Sequence, residues 1–178
     1  MELIHSLREV KIQKPQKLLC DTSLLLLGLT GLLLGTIVYL SSRSPDQTYF
    51  IHRLGLGDLY LKNLVDIFGP LSGYLPSFLH PLSFILITSA FIPKSLRLFT
   101  AVSAGWLLIN VLFEIGQLYK STALKLIPSW FANIPFLENT EGFFRYGTFD
   151  HKDLIAAIAG SAIAYGILTF KVCSRGAR

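Results

Sequence analysis

Four long apolar runs follow one another along the chain, at about residues 18–40, 74–92, 96–118 and 153–172. About 20 residues of α-helix, rising roughly 1.5 Å each, cross the hydrocarbon core of a bilayer. The pattern therefore predicts four transmembrane helices. Pro93-Lys94-Ser95 forms a tight turn that makes the second and third helices antiparallel neighbours. The first run is longer than the apolar part of a signal peptide and no small-residue cleavage site follows it, so we interpret it as a retained span.

Composition agrees with a membrane protein. Of 178 residues, 52% are hydrophobic and 15% are charged, with a mean hydropathy of +0.54. Soluble domains contain about 25% charged residues. We predict an all-α protein, one integral membrane domain over residues 1–178, with no separate soluble domain. Its net charge of +5 lies mostly at the chain ends and in loops, which does not favour nucleic acid as a partner.

Two long polar stretches, 41–73 and 119–152, separate the runs. In the first, apolar residues recur at helical spacing from Leu61 to Phe68, which predicts a short amphipathic helix on the membrane surface. The second contains aromatic residues such as Trp130 and Tyr146, which favour the head-group level. Both stretches are predicted to carry short interfacial helices. In the fourth run, Ala156, Gly160 and Ala164 recur every four residues, a pattern that allows close helix approach.

The distribution of lysine and arginine predicts the orientation. Nine of the 16 lie in the short N-terminal, 93–97 and C-terminal segments, and the other seven are spread over the two long loops. Because positive residues are denser on the cytoplasmic side, we place both termini in the cytoplasm, in the plasma (inner) membrane, and both loops outside. Cys20 and Cys173 lie near opposite ends of the chain, and no disulfide is expected.

The third run carries a polar stripe. Asn110, Glu114 and Gln117 are spaced i, i+4 and i+7 and share one helix face. A carboxylate within a membrane is costly and usually faces a protein interior or a water-filled cavity. Residue counts from the turn at 93–95 put several further polar groups at a similar depth, so a cluster is predicted in the outer leaflet, formed by His80, Asn110, Glu114, Gln117, Asp150 and Asp153.

Each member also has a purely structural interpretation. Asp150-x-x-Asp153 resembles a capping box, and His80 precedes Pro81, where it would satisfy backbone carbonyls freed by the proline. Asn110 and Gln117 could join helices by hydrogen bonds. Glu114 is harder to explain structurally, because a neutral side chain would pack at lower cost. A nearby His80 could share a proton with it.

Segments around this cluster resemble the signature of VanZ-like membrane proteins. The segments are Phe113-Glu114-Ile115-Gly116-Gln117, then Gly147 to Leu154 (GTFDHKDL), then Gly160. The family has E-x-x-Q near the outer end of one helix, D-x-x-D opening the next and a glycine seven residues later, and part of it has a histidine like His80. The resemblance covers about residues 74–170. The family commonly has asparagine where this chain has Ala157, so no role that requires that amide is carried over to this chain. The resemblance implies a small helical protein of the cell envelope, in a family whose founding member is associated with teicoplanin resistance; no such role is assumed for this chain.

Three functions remain open. The first, which we favour, is a non-enzymatic envelope protein that binds a membrane lipid or lipid-linked ligand through Asn110, Glu114, Gln117, Arg145, Asp150 and Asp153. The second is a membrane-embedded enzyme in which His80, Glu114, Asp150 and Asp153 perform acid–base or metal-assisted chemistry on a lipid-linked substrate. The third is a proton or ion pathway around Glu114. The sequence contains no nucleophile elbow, H-E-x-x-H or phosphate loop, indicates no resident cofactor or metal, and does not define an oligomeric state.

Overall fold

The computed structural model describes residues 20–42, 68–135 and 137–176, and within them every regular element is helical. Short 3-10 helices occupy Gly69–Gly73, Ser129–Asn133 and Leu137–Asn139. The α-helices, in chain order, are α1 (Thr22–Ser42), α2 (Leu75–Ala90), α3 (Leu96–Leu118), α4 (Lys120–Leu126), α5 (Thr140–Tyr146) and α6 (His151–Gly176). The all-α prediction is confirmed for this part of the chain.

Three of these helices are long and apolar enough to cross a membrane. They are α1, α3 and α6, over Thr22–Ser41, Leu96–Leu118 and His151–Ser174. Helix α2 is apolar but has 16 residues, or about 24 Å, which is shorter than a full span. It continues through Pro81 without a break. The chain is thus a membrane protein with three candidate spans, and a fourth span at α2 stays a prediction.

The four longer helices alternate in direction. The backbone N–H of Asp21 donates to the carbonyl of Ala90 over 2.8 Å, and Lys171 Nζ donates to Asp21 Oδ1 over 2.8 Å. The start of α1 therefore lies beside the ends of α2 and α6; we call this the Asp21 end of the bundle. At the opposite end, Ser77 Oγ donates to Asp153 Oδ1 over 2.8 Å and joins the starts of α2 and α6. Helix α3, which carries Glu114 near its end, also ends there. We call this end of the bundle the Glu114 end.

Helix α2 lies at the centre, packed against α1, α6 and α3. Glycines permit two close backbone contacts of α2. A Cβ on Gly160 of α6 would lie 3.0 Å from the carbonyl carbon of Phe78, and a Cβ on Gly28 of α1 would lie 2.9 Å from the carbonyl oxygen of Ser83. Close approach at the predicted small-residue face of α6 is therefore confirmed at Gly160.

The buried core draws on all four longer helices. Its fully buried members are Leu24, Ile85, Leu86, Ala90, Phe99, Ala164 and Leu168. Helix α3 buries only Phe99, Ser103, Gly116 and Gln117 of its 23 residues. Most of its apolar side chains are exposed, as expected for a helix that faces lipid.

A network of charged side chains closes the Asp21 end. The Asp21 side chain is 8% exposed and lies between Lys94 and Lys171, each of which forms an ion pair with it. Burial alone would raise the pKa of this carboxyl, but the hydrogen bonds from Lys171 and Lys94 outweigh burial and hold the pKa well below its ordinary value of 3.8. Asp21 Oδ1 also accepts from the backbone N–H of Leu24 at 3.3 Å, so it caps α1 as well.

The remaining predictions about the fold concern the two long loops and the two cysteines. The predicted amphipathic helix of the first long loop lies outside the described residues except for its last member, Phe68. The second loop does contain short helices, α4 and α5 with two 3-10 turns, and their position at a membrane interface stays a prediction. Cys20 and Cys173 are both free and exposed.

Candidate functional site

Glu114 lies in the last two turns of α3, where the antiparallel α6 begins. Its carboxylate accepts a hydrogen bond from the backbone N–H of Asp150 and interacts electrostatically with the carboxylates of Asp153 and Asp150. Its Oε2 atom is buried and accepts no hydrogen bond from the residues that the structure describes. The structure therefore brings together three acidic side chains of the predicted set. We call Glu114, Asp150 and Asp153 the acidic cluster.

The two aspartates of the cluster have different local roles. Asp150 caps α6, because its Oδ1 accepts from the backbone N–H of Lys152 at 2.8 Å and its carbonyl accepts from the N–H groups of Asp153 and Leu154. This geometry supports the structural interpretation of Asp150. Asp153 points instead to α2, where its Oδ1 atom accepts a hydrogen bond from the Ser77 hydroxyl. Asp153 is thus the carboxylate that links α2, α6 and, through its charge, Glu114 of α3.

Two contacts of α2 with the start of α6 were not predicted from the sequence. Lys152 Nζ donates to the Tyr74 hydroxyl over 3.1 Å and lies 5.1 Å from the centre of the Tyr74 ring. Ser77 makes the bond to Asp153 described above. Ser77 and His80 are three residues apart on α2, and Tyr74 lies three residues before Ser77, directly before the helix begins. The sequence signal for these contacts was the three-residue spacing of Tyr74 and Ser77 before the predicted site residue His80.

His80 belongs to an aromatic stack. Its ring stacks on Tyr39 of α1 with 5.8 Å between centroids, and on Phe84 of its own helix at 6.1 Å. Phe84 in turn stacks on Trp106 of α3 at 4.7 Å. The series of rings runs from α1 across α2 to α3. The predicted sharing of a proton between His80 and Glu114 stays a prediction.

The remaining predicted residues lie around the cluster in different settings. Asn110 Nδ2 donates to the carbonyl of Trp106 at 2.8 Å, a bond within its own helix that uses one of its amide hydrogens. Gln117 is buried, and a Cβ on Gly147 would lie 2.7 Å from its Nε2 atom, so the loop before α6 packs directly on this amide. Arg145 is exposed on α5 and pairs with Glu141 one turn away.

The donor set does not form a recognisable metal centre. Over residues 20–42, 68–135 and 137–176, no group of three or more histidine, cysteine or acidic side chains is placed to hold a metal ion. Comparisons with models of protein families, with curated proteins and with solved structures find no match to this chain. The VanZ-like resemblance therefore rests on the motif residues themselves.

Proposed function

We propose that this chain is a VanZ-like membrane protein of the cell envelope that binds a lipid or lipid-linked ligand at the acidic cluster. In this proposal α2 completes a bundle of four transmembrane helices, both termini are cytoplasmic, and the cluster lies in the outer leaflet of the plasma membrane. The orientation is supported by the Asp21 end, where Lys94 and Lys171 gather, because basic residues favour the cytoplasmic side. The alternating helix directions then put the Glu114 end outside.

One observation carries the proposal: the buried and unsatisfied Oε2 atom of Glu114. A carboxylate oxygen within a membrane span is costly unless it receives a hydrogen bond or a compensating charge. A ligand that donates a hydrogen bond to this oxygen would remove that cost.

The charge of the cluster also restricts the ligand. Asp150 and Asp153 lie close enough to act on Glu114 electrostatically, so the cluster repels an anionic phosphate in direct contact. A hydroxyl or ammonium group suits it better. We therefore expect a lipid whose head group presents one of these donors.

Glu114→Gln tests this proposal because it keeps the shape of the side chain and removes its charge. The protein is reconstituted in nanodiscs, and the lipids that it retains are counted by native mass spectrometry. The probes are phosphatidylethanolamine and a monoglycosyl diacylglycerol, both with donors, against phosphatidylcholine, which has an ammonium without N–H groups. A hydrogen bond to a charged group contributes about 1.5–3 kcal/mol, and each 1.4 kcal/mol is a factor of about ten, so we expect the variant to lose at least about tenfold in preference for a donor lipid.

Glu141→Gln is the matched control. Glu141 is an exposed carboxylate on α5 that pairs with Arg145, and we expect this variant to retain the wild-type preference. A wild-type protein that prefers neither donor lipid over phosphatidylcholine contradicts the proposal. An equal preference in Glu114→Gln and wild type does so as well.

A membrane-embedded enzyme is the second candidate. Its support is the interaction of Glu114 with both aspartates, because neighbouring carboxylates with different environments can act as an acid and a base. His80, Glu114, Asp150 and Asp153 would be its catalytic residues. Loss of turnover of a lipid-linked substrate in Glu114→Gln, with lipid retention unchanged, would favour the enzyme over the binding protein.

A further inference from the structure

An apolar recess lies on the other side of α3 from the acidic cluster. It is an open recess with a volume of about 600 Å³, lined by the last turns of α3 together with α4, α5 and the segment between them. Leu112 and Gly116, two residues before and after Glu114, both line it, and two residues correspond to about 200° around a helix. Glu114 therefore points away from this cavity, which we call the apolar pocket. Its other principal walls are Phe113, Leu126, Phe131 and Phe144.

The apolar pocket is continuous with the lipid-facing surface of α3. Leu108, Leu112 and Ile115 recur along one face of this candidate span and are 57%, 55% and 40% exposed. In a membrane, exposed apolar side chains of a spanning helix contact acyl chains. Leu112 and Ile115 line the pocket as well. An acyl chain lying along α3 can thus enter the pocket without leaving an apolar environment.

The surroundings of the pocket resemble the boundary between hydrocarbon and head groups. Tyr119, Trp130 and Tyr146 are each more than half exposed around it, and such rings prefer the membrane interface. Lys125 is exposed in the last turn of α4, next to Leu126 of the pocket wall. This ammonium group is available to pair with the phosphate of a lipid whose chain occupies the pocket.

The shape of the site also favours a lipid over a second protein. A stable protein partner buries about 800 Å² on each side across a broad surface. The pocket is instead a recess whose volume falls in the range of roughly 300–1,000 Å³ that is typical of small-molecule sites.

We propose that the apolar pocket binds one acyl chain of an anionic glycerophospholipid of the surrounding bilayer, with the lipid phosphate at Lys125. This site is separate from the acidic cluster and does not depend on the function proposed for it. The occupant is a bilayer lipid, held by burial of its chain and by one charge contact.

Tryptophan fluorescence can report on the pocket directly. The chain has two tryptophans, and Trp130 contacts Phe131 of the pocket wall with 4.5 Å between ring centroids. In a Trp106→Phe background, Trp130 is the single reporter. The protein is placed in phosphatidylcholine vesicles that contain increasing fractions of phosphatidylglycerol with brominated acyl chains. We expect the quenching of Trp130 fluorescence to saturate. Saturation should occur at a brominated lipid fraction several-fold lower than the fraction at which random contact with bulk lipid would give the same quenching.

A pair of alanine variants separates pocket binding from contact with the bulk bilayer. Ala123→Phe fills the pocket and is expected to abolish the saturable quenching, whereas Ala101→Phe adds the same ring to an exposed site of α3 near the Asp21 end and should retain it. Lys125→Gln should shift saturation to a higher brominated fraction. Because Trp106 donates to Thr88, lipid retention is also counted by native mass spectrometry in the wild-type background, where Ala123→Phe should lose one lipid.

Other outcomes would overturn the proposal. Quenching that rises linearly with the brominated fraction and is equal in both alanine variants would show no bound chain. A dimer in nanodiscs that Ala123→Phe dissociates would show a second copy of the chain as the occupant. Glu114→Gln should leave the saturable quenching unchanged. The experiments therefore distinguish a failure of the proposed ligand binding at the acidic cluster from a failure of acyl-chain binding in the apolar pocket.

Discussion

Replacing Gly160 by alanine tests the contact that holds α6 against α2. The added methyl group would lie 3.0 Å from the carbonyl carbon of Phe78 and 3.3 Å from its Cα, and closer still to its carbonyl oxygen. These are backbone atoms of a helix, so they cannot turn aside as the end of a flexible side chain can. The two helices must separate to admit the methyl group.

The size of the effect follows from a comparison within the same helix. Overpacking a close contact costs about 1–3 kcal/mol, while alanine favours a helix over glycine by about 1 kcal/mol. Gly166 is the matched control, because a Cβ there meets nothing within 4 Å. The difference in unfolding free energy between Gly160→Ala and Gly166→Ala therefore isolates the packing cost, and we expect about 1–3 kcal/mol. Gly160→Leu should destabilise the bundle further.

Reversible unfolding in mixed micelles with increasing dodecyl sulfate, followed by circular dichroism, would measure this difference. Both variants are compared with wild type under the same conditions. Equal unfolding free energies for Gly160→Ala and Gly166→Ala would refute the reasoning, because they would mean that α2 and α6 are not in backbone contact at this point.

Two further predictions concern α1. Asp21→Asn should lower the unfolding free energy by about 1–3 kcal/mol, because it removes the charge that Lys94 and Lys171 share. The folded-state pKa of Asp21 is lowered from 3.8, so its contribution is present at neutral pH and is lost as the pH falls below about 4; a wild-type-to-variant difference that stayed constant down to pH 2 would be inconsistent. Gly28→Ala should lower the unfolding free energy in the same assay, because a Cβ at Gly28 would lie 2.9 Å from a backbone oxygen. Gly35→Ala should be tolerated, because a Cβ there would lie 3.9 Å from the nearest atom. Equal effects of the two substitutions would argue against this packing of α1.

The sequence predicts the positions of the helices well because hydropathy and turn residues both mark them. The third predicted run, 96–118, coincides with α3, which starts directly after the turn at Ser95. The last helix extends beyond the predicted 153–172, over His151–Gly176. Hydropathy marks the apolar part of this segment, whereas the residues after 172, polar from Ser174 onward, continue the same helix. The predicted length was less accurate for α2, because this helix has 16 residues and is shorter than a full span.

The level of the site residues along the bundle axis was predictable, and the rotation of each helix about its own axis was not. Counting residues in antiparallel helices indicated that Glu114 and the two aspartates share a level, and the structure brings them together. The stacking of His80 on Tyr39 and the bond of Asn110 to its own helix depend on which way each face turns. Periodicity in one helix does not fix the rotation of its neighbours.

The network at Asp21 was missed for a related reason. The position of Asp21 at the start of the first apolar run indicates a helix cap or a contact with the interface, and Asp21 does cap α1. Its charged partners Lys94 and Lys171 come from distant parts of the chain. The depth counting applied to the acidic cluster would have found them, because all three residues lie at the same end of the predicted spans.

The pairing of Asp21 with Lys171 links the earliest and latest parts of the bundle to be synthesised. The two residues are separated by 150 positions, so the first helix enters the membrane long before its partner leaves the ribosome. Until α6 is inserted, Lys94 in the turn between α2 and α3 can pair with Asp21. The final ion pair therefore forms only once translation has delivered the last helix in the correct direction.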